Sequence, residues 1–247
     1  MTPRTTVAKA SAHRPPPVPI VALDFSDAQS ALRMVEQIGD ACKFYKVGSE
    51  LFTAAGPQIV QTLRAMGHEV FLDLKFHDIP NTVRGAARNA AAMGARLITV
   101  HASGGKAMVE AAVEGAGDKS RCGVLGVTVL TSVDAAALRS GTGAGASRKP
   151  IEMTGEVLRL AGDCAAAGAL GVVASALEGS KIRAKYADKL ILLIPGIRAA
   201  GAKTDDQKRA ATPAEAAKAG ADYIVLGRMV TEAANPRSEV RAALASI

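Results

Sequence analysis

Short runs of apolar, β-favouring residues alternate along the chain with Ala-rich stretches whose apolar positions recur at helical spacing. From residue 18 onward this alternation predicts eight strands, at 19–24, 43–47, 69–75, 96–101, 123–129, 170–174, 190–195 and 222–227. One helix is predicted after each strand, at 27–39, 50–66, 82–94, 104–116, 152–168, 178–186, 213–219 and 229–245. Eight strand-then-helix units in 247 residues predict an α/β fold, a single-domain (β/α)8 TIM barrel, rather than an open doubly wound sheet.

The polar residues within these strands lie near the carboxyl-terminal ends, where (β/α)8 barrels place their functional groups. The strand ends and the positions just after them are occupied by Asp24, Lys46, Asp73, Lys75, His101, Thr131, Arg198, Gly227 and Arg228. Because all these ends meet at one mouth of a barrel, the pattern predicts a polar cleft there.

The third predicted strand carries two charges among apolar neighbours. In the segment FLDLKFHDIPNT, residues 71–82, Asp73 and Lys75 are two positions apart, so both side chains leave the same face of the strand. A carboxylate–ammonium contact at about 4 Å is worth roughly 4 kcal/mol at an effective dielectric near 20, and desolvation offsets it. A functional cleft therefore explains these charges better than the structural alternative, a buried ion pair.

The amino-acid composition favours a small-molecule partner over a nucleic acid. The chain is 49% apolar but only 3% aromatic, without Trp, which suits close packing of helices on strands and offers little for base stacking. The formal charge is +7, and three of the charges, on Arg4, Lys9 and Arg14, lie in an amino-terminal tail without acidic residues. The barrel itself is only modestly basic, which indicates a phosphorylated small molecule as the partner and no nucleic acid.

Residues 1–17 are predicted to form a disordered basic tail ahead of a barrel domain at 18–247. The tail is basic and acid-free, as a transit peptide is, but its brevity and the prolines at 15–17 favour disorder. It lacks the apolar segment of a secretory signal, and no apolar run reaches the roughly 18 to 20 residues of a membrane span. We therefore expect a soluble, cytoplasmic protein with no membrane partner.

Cysteine and histidine usage gives no indication of a metal site. Cys42, Cys122 and Cys164 are widely spaced in apolar surroundings with no C-x-x-C pattern, so neither disulfide bonds nor a zinc site is expected, and the compartment is expected to be reducing. His77 and His101 raise the alternative of a metal site, but no second His stands at ligand spacing, which favours structural strand-end histidines.

Two connections are longer than the others. Residues 131–150 are rich in Gly, Ser and Ala, notably over 140–147, with a short helix at 134–139 as an alternative to a mobile loop. Residues 196–212 combine small residues with polar ones, and this composition predicts a lid able to close over an anion. The polar residues of that lid are Arg198, Lys203, Gln207, Lys208 and Arg209.

The segment DLKFHDIPNT at 73–82 resembles the D-x-K-x-x-D-I-P-x-T signature of the orotidine 5′-phosphate decarboxylase family. The other blocks of that family are matched in order by VALD at 21–24, KVG at 46–48, VHA at 100–102, LTS at 130–132, PGIR at 195–198, DQ at 206–207 and GR at 227–228. Related sugar-phosphate decarboxylases share the D-x-K-x-x-D spacing. The combination of PGIR with the later DQ and GR favours the orotidine 5′-phosphate decarboxylases over them. The resemblance covers about residues 18–240.

By this resemblance the chain would be a carboxy-lyase that removes CO₂ from C6 of orotidine 5′-monophosphate (OMP) to give UMP in pyrimidine synthesis. The family uses neither a metal nor an organic cofactor, so the resemblance implies catalysis by preorganised charges. It implies that Lys75 stabilises and protonates the C6 carbanion, that Asp73 repels the substrate carboxylate, and that Lys46 orients Asp73 and reaches the ribose. With Asp78 these residues would form an alternating array of charges.

The remaining roles also come from the resemblance. The family forms homodimers in which the residues matching Asp78 and Thr82 are contributed across the interface to the partner's site. Asp24 would bind the ribose hydroxyls, and Thr131 would lie near the pyrimidine edge. The 5′-phosphate would be held by Arg198, Gly227 and Arg228, with Gln207 closing from the lid.

Two alternative functions stay open. A Mg²⁺-dependent 3-keto-gulonate-6-phosphate decarboxylase is similar in barrel and D-x-K-x-x-D spacing, but its family needs a further carboxylate near the end of the second strand. This chain has Lys46 there, and Glu50 follows four residues later. A non-catalytic nucleotide- or RNA-binding barrel would agree with the pI near 9.5, but the chain has no aromatic platform or dense basic stripe.

The segment after the third strand also has a structural interpretation. Asp78 precedes an Ile-Pro pair and would form a turn, and Asn81 would cap the helix predicted from Thr82. A structural and a catalytic role can coexist at Asp78.

Overall fold

The computed structural model describes residues 14–134, 152–199, 201 and 209–247. Its strands are β1 (Val18–Ala22), β2 (Phe44–Gly48), β3 (Glu69–Phe76), β4 (Leu97–His101), β5 (Gly123–Val127), β6 (Gly171–Val173), β7 (Ile191–Ile197) and β8 (Tyr223–Leu226). They pair in parallel in chain order, and β8 closes the barrel against β1. The predicted (β/α)8 TIM barrel is confirmed.

The helices of the described residues are α1 (Ala28–Ile38), α2 (Ser49–Ala55), α3 (Gln58–Ala65), α4 (Pro80–Ala92), α5 (Lys106–Ala116), α6 (Met153–Ala166), α7 (Ala176–Tyr186), α8 (Pro213–Lys218), α9 (Arg228–Thr231) and α10 (Pro236–Ala245). The predicted single helix at 50–66 is wrong, because Gly56, with φ +65, ends α2 and Pro57 precedes a separate α3. The Gly-rich stretch 140–147 and most of the alternative helix at 134–139 lie outside the described residues.

The last predicted helix, at 229–245, is also wrong as a single element. The short α9 ends at Thr231, and α10 begins only at Pro236. Asn235 caps α10, since its Oδ1 accepts a hydrogen bond from the Ser238 amide at 3.0 Å. An Asn-Pro pair therefore interrupts a helical periodicity that reads as continuous in the sequence.

Strand alternation divides the apolar core in two. Every second strand position fills the barrel interior, and the positions between pack outward against the helices. In β3, Phe71 points inward between Val70 and Leu72, which pack outward. Asp73 is the next inward position after Phe71, so the alternation that builds the core also carries this carboxylate into the barrel mouth.

An ionic network covers the opposite, amino-terminal end of the barrel. Arg14 Nη1 lies 2.8 Å from Asp222 Oδ1, and its Nη2 pairs with Asp188. Asp222 also pairs with Arg183, so it joins two arginines. Arg14 belongs to the segment predicted as a tail, and because residues 1–13 lie outside the described ranges, the disordered tail stays a prediction.

The cysteines are buried thiols that the structure leaves unpaired. Burial raises the pKa of Cys122 to about 11 and that of Cys164 to about 12, so both are protonated at neutral pH and are poor nucleophiles. Within the ranges that the structure describes, no helix has the length and apolar content needed to cross a membrane.

Candidate active site

A cleft of about 340 Å³ opens at the mouth formed by the carboxyl ends of the strands. Its apolar floor is the top of the barrel interior and includes Phe71, Val127 and Val225. The predicted site residues that line the cleft are Asp24, Lys46, Asp73, Lys75, Thr131, Arg198, Gly227 and Arg228. The structure therefore brings most of the predicted site into one concave surface.

Charges of opposite sign alternate across the cleft from β1 to β3, in a charged row made of Asp24, Lys46, Asp73 and Lys75. Lys46 Nζ lies 2.7 Å from Asp24 Oδ1 and 4.0 Å from Asp73 Oδ2. Lys75 Nζ lies 2.8 Å from the same Asp73 oxygen, so both ammonium groups face one carboxylate. Asp73 is only 9% exposed, and its negative charge is tolerated there because two cations surround it.

The backbone of β3 is distorted where it delivers Lys75. Lys75 has φ +51, in the left-handed region that residues with a Cβ avoid, and the β3–β4 pairing shifts register between Leu72 and Phe76. A non-Gly residue in such a conformation costs about 1 to 3 kcal/mol, and this kind of strain clusters at functional sites. The distorted end of β3 leaves the Lys75 side chain 35% exposed to the cleft while its ammonium contacts Asp73.

The space around the Lys46–Asp24 ion pair depends on Gly48. A Cβ at Gly48 would stand 2.9 Å from Lys46 Nζ and 3.1 Å from Asp24 Oδ1. The KVG block therefore needs a glycine at this position, because only a residue without a Cβ leaves room for the two charged groups to meet.

The cationic side of the cleft lies at the ends of β7 and β8, which are four and three strands around the barrel from β3. The Arg198 amide donates to the Ala211 carbonyl at 2.9 Å, which fixes the backbone just after β7. A Cβ on Gly227 would meet no atom within 4 Å, so open cleft lies beside its backbone. Arg198 and Arg228, with this accessible backbone, form a surface suited to an anion such as phosphate.

Three predicted site residues do not line the cleft that the structure describes. Asp78 and Thr82 are exposed, the first between β3 and α4 and the second in the first turn of α4. Asp78 Oδ1 accepts a hydrogen bond from the Ile79 amide at 2.6 Å, as a turn-forming Asp does. Gln207 lies outside the described residues.

The start of α4 differs from the prediction. The helix already begins at Pro80, because the fixed φ of proline suits a first helical position, and its cap position is Ile79. Asn81 therefore lies inside the first turn, and the prediction that it caps a helix from Thr82 is wrong.

Sequence reasoning misses Thr99, a fully buried polar residue on β4 directly beside the charged row. Its hydroxyl lies 2.9 Å from Asp73 Oδ1 and 2.9 Å from the Lys75 amide nitrogen. A threonine in an apolar strand does not by itself indicate a functional residue. Its role becomes visible only when β4 is paired with β3, because the pairing brings Thr99 next to Asp73 and Lys75.

Sequence reasoning also assigns Arg209 wrongly to the anion-binding face of a lid. Arg209 is only 8% exposed, and its Nη1 lies 2.9 and 3.0 Å from the two carboxylate oxygens of Glu178 on α7. Its Nη2 donates to the carbonyls of Val129 and Leu130 at 2.9 and 3.1 Å. The Nη2 hydrogen bonds therefore anchor the backbone next to Thr131, and the Glu178 carboxylate supplies the counter-charge that the buried guanidinium needs.

We expect Glu178→Ala to lower the free energy of unfolding by about 3 to 5 kcal/mol, because it leaves the Arg209 guanidinium buried without a counter-charge. Asp40→Ala is the matched control, since it removes exposed ion pairs with Arg237 and Arg241, which solvent screens, and should leave the free energy of unfolding nearly unchanged. Urea unfolding measures both values. Equal losses in the two variants would contradict a structural role for the buried pair.

His101 ends β4 at the rim of the charged row. Burial lowers its pKa, and the neighbouring His77 and Lys75 lower it further, while Asp73 opposes them. The two histidine rings lie 5.5 Å apart between centroids. Among the described residues, no group of three or more His, Cys, Asp or Glu side chains could hold a metal ion.

The lowered pKa of His101 predicts a pH dependence of stability. The folded-state pKa lies below the unfolded value near 6.5, so the unfolded chain takes up more protons as the pH falls through that value. The contribution of a neutral His101 is kept above this pH and declines below it. The free energy of unfolding should therefore fall more steeply from about pH 8 to about pH 5 in wild type than in His101→Gln. Parallel urea-derived curves would contradict the lowered pKa.

A closed (β/α)8 barrel with alternating charges and two arginines at its mouth defines the class of the protein, a barrel enzyme for a small anionic substrate. The model of the "Orotidine 5'-phosphate decarboxylase / HUMPS family" matches residues 17–243. The chain belongs to this family, as the sequence resemblance predicted.

Individual relatives cover nearly the whole chain. The orotidine 5′-phosphate decarboxylase of Anaeromyxobacter sp. (strain K) is 50% identical over 226 residues, which are 92% of this chain and 96% of the relative. That of Halorhodospira halophila is 48% identical over 233 residues, 94% of this chain and 96% of the relative. The crystal structure of orotidine 5′-phosphate decarboxylase from Lactobacillus acidophilus superposes with a TM-score of 0.81 at 36% identity, covering 94% of this chain and 99% of that one. The chain is therefore an enzyme of the carboxy-lyase class.

Proposed function

We propose that this chain removes CO₂ from C6 of orotidine 5′-monophosphate to give UMP in pyrimidine nucleotide synthesis, with no metal or organic cofactor. The observation that carries the proposal is one buried carboxylate, Asp73, between the ammonium groups of Lys46 and Lys75 at the barrel mouth. Relatives 44 to 50% identical, all named for this decarboxylation, support it.

The reaction needs charge stabilisation above all. When the bond between C6 and the carboxylate breaks, its electron pair stays in an in-plane orbital of C6, which the pyrimidine π system cannot delocalise. An ammonium group held beside C6 stabilises that developing charge without reorganising in the transition state. The cleft supplies such preorganised charge, since the fold itself holds its cations and anions in contact with each other.

Lys75 has the central role in the proposal. Its ammonium lies beside C6, stabilises the carbanion as CO₂ leaves, and then donates a proton to C6 to form UMP. The resulting amine regains a proton from solvent. Asp73 lies near the substrate carboxylate, where repulsion between the two anions raises the ground state and is relieved when CO₂ departs.

The rest of the cleft orients the nucleotide. Lys46 orients Asp73 and reaches the ribose, and Asp24, which contacts Lys46 at 2.7 Å and is exposed to the cleft, binds the ribose hydroxyls. Thr131 contacts the pyrimidine edge. The 5′-phosphate is bound by Arg198, Gly227, Arg228 and Gln207. Binding energy from the phosphate, remote from C6, is then available to drive desolvation of the charged row.

The active form in this proposal is a homodimer in which each site takes Asp78 and Thr82 from the partner subunit. Both residues are exposed on their own chain and do not line its cleft. This is the position expected of residues that act in the site of a neighbouring subunit. Asp78 of the partner subunit adds the last charge to the row and balances Lys75. A cytoplasmic location remains a prediction from the sequence.

The test is decarboxylation by purified, EDTA-treated protein, followed as the loss of OMP absorbance. We expect full turnover of OMP after EDTA treatment. Turnover only of 3-keto-gulonate 6-phosphate, and only with Mg²⁺, would support the alternative decarboxylase. The exposed position of Glu50 in α2, outside the cleft, argues against the metal carboxylate that this alternative needs. Salt-sensitive binding of oligonucleotides without affinity for UMP, measured by calorimetry, would support a binding protein.

A further inference from the structure

We infer that Thr99 is a positioning residue for decarboxylation, whose single hydroxyl holds both the Asp73 carboxylate and the Lys75 backbone in place. The inference rests on the proposed function, because it assigns Thr99 a purpose through those two residues. Thr99 is fully buried and does not line the cleft, so it acts through its neighbours and has no access to the substrate.

The hydroxyl of Thr99 takes part in two hydrogen bonds, one as donor and one as acceptor. Its Oγ1 donates to Asp73 Oδ1 at 2.9 Å and accepts from the Lys75 amide at 2.9 Å. A hydroxyl has one proton to donate, so the bond to Asp73 uses its whole donor capacity. Because the acceptor is a carboxylate, this hydrogen bond belongs to the stronger, charge-assisted kind.

The contact with the Lys75 amide replaces a missing part of the sheet. Regular pairing of β3 with β4 is interrupted between Leu72 and Phe76, and Lys75 lies inside this irregularity with φ +51. An amide there has lost its regular ladder partner, and a buried amide without a partner is costly. Thr99 Oγ1 supplies that partner and so stabilises the strained conformation that presents Lys75 to the cleft.

The contact with Asp73 decides which of its oxygens faces the cations. Oδ1 is bound by Thr99, and Oδ2 is left for Lys75 at 2.8 Å and Lys46 at 4.0 Å. Without the Thr99 donor, the carboxylate is free to rotate about χ2, and its oxygens no longer have separate partners. The charged row then loses part of the preorganisation on which electrostatic catalysis depends.

The test compares Thr99→Val, which keeps the volume and loses the hydroxyl, with Thr99→Ser, which keeps the hydroxyl. We expect Thr99→Val to lower kcat for OMP by about 30-fold, which corresponds to about 2 kcal/mol at 1.36 kcal/mol per tenfold, while KM changes by less than about threefold. Thr99→Ser should stay within about threefold of wild type in kcat. Equal kcat values for Thr99→Val and wild type, or equal losses in the two variants, would overturn the inference.

A matched control separates positioning from loss of stability. Thr128 is also a buried threonine, and its Oγ1 donates to the Val173 carbonyl at 2.9 Å, away from the charged row. Thr128→Val therefore removes a buried hydroxyl bond but should leave kcat within about threefold of wild type. On an Asp73→Asn background, Thr99→Val should have a much smaller effect on kcat than in wild type, since its partner is already altered. An unchanged effect would contradict action through Asp73.

A crystal structure of Thr99→Val tests the inference without any assay of turnover. We expect the Asp73 carboxylate to rotate and its contact with Lys75 Nζ to lengthen beyond the 2.8 Å seen here. An unchanged end of β3 would overturn the inference even if OMP is the substrate. Conversely, wild-type protein that fails to decarboxylate OMP would refute the proposed function, and the geometry of Thr99→Val would still decide whether Thr99 positions the two residues.

Discussion

Replacement of Lys75 by alanine is expected to lower kcat for OMP by at least about 10⁴-fold, because it removes two contributions at once. Loss of one preorganised electrostatic group costs about 10² to 10³ in rate, and loss of a proton donor costs about 10² to 10⁴. UMP has no carboxylate and forms no carbanion, so its binding depends on the ribose and phosphate contacts. The affinity for UMP should therefore change by less than about tenfold.

The measurement pairs OMP turnover with calorimetric titration of UMP into the same preparation. Lys218→Ala is the control for removal of one lysine, since Lys218 is exposed in the last turn of α8, at the opposite end of the barrel from the cleft. It should leave both quantities unchanged. A Lys75→Ala protein that keeps more than about one hundredth of wild-type kcat would contradict the role of the ammonium group.

The second large effect concerns Asp78. Asp78→Ala is expected to lower kcat by about 10²-fold or more, although this residue lies outside the cleft of its own chain. If each site combines Lys75 of one subunit with Asp78 of the other, a mixed dimer of Lys75→Ala and Asp78→Ala chains has one site with both changes and one intact site. Such a dimer should have about half of the wild-type activity, because a two-fold interface places the two changes in the same site.

Co-expression of the two variants with different affinity tags allows the mixed dimer to be isolated and assayed. Parent homodimers purified in the same way provide the baseline. Mixed dimers no more active than the parents would contradict shared sites and would mean that Asp78 acts within its own chain or only in the turn before α4. Restored activity would require both the dimer and the exchange of Asp78.

The sequence predicts the barrel and most of the cleft because both depend on short-range periodicity. A strand alternates with a period of two, so Asp73 and Lys75 are assigned to one face, and the same alternation from Phe71 directs that face into the barrel. Carboxyl ends of parallel strands all lie at one mouth, so the residues at Asp24 and Lys46 are assigned to the same site. None of these steps needs a contact that is distant in sequence.

What the sequence does not predict depends on local breaks or on distant contacts. Helical periodicity continues through the Gly-Pro pair at 56–57, but the left-handed conformation of Gly56 ends the helix there. The φ of +51 at Lys75 has no local signal, because a lysine in a strand pattern reads as extended. Thr99 and Arg209 acquire their partners only in the folded chain, since Thr99 contacts a residue 26 positions earlier on the neighbouring strand and Arg209 contacts one 31 positions earlier on a helix.

The proposed catalysis requires Lys75 Nζ, held by Asp73, to lie against C6 of the pyrimidine while Arg198 and Arg228 bind the phosphate. A crystal structure of the protein with UMP tests it most directly. We expect Lys75 Nζ to lie about 3 to 3.5 Å from C6 while it keeps its contact with Asp73. A pyrimidine bound elsewhere in the barrel, or a Lys75 ammonium that points into bulk solvent with UMP in place, would contradict it.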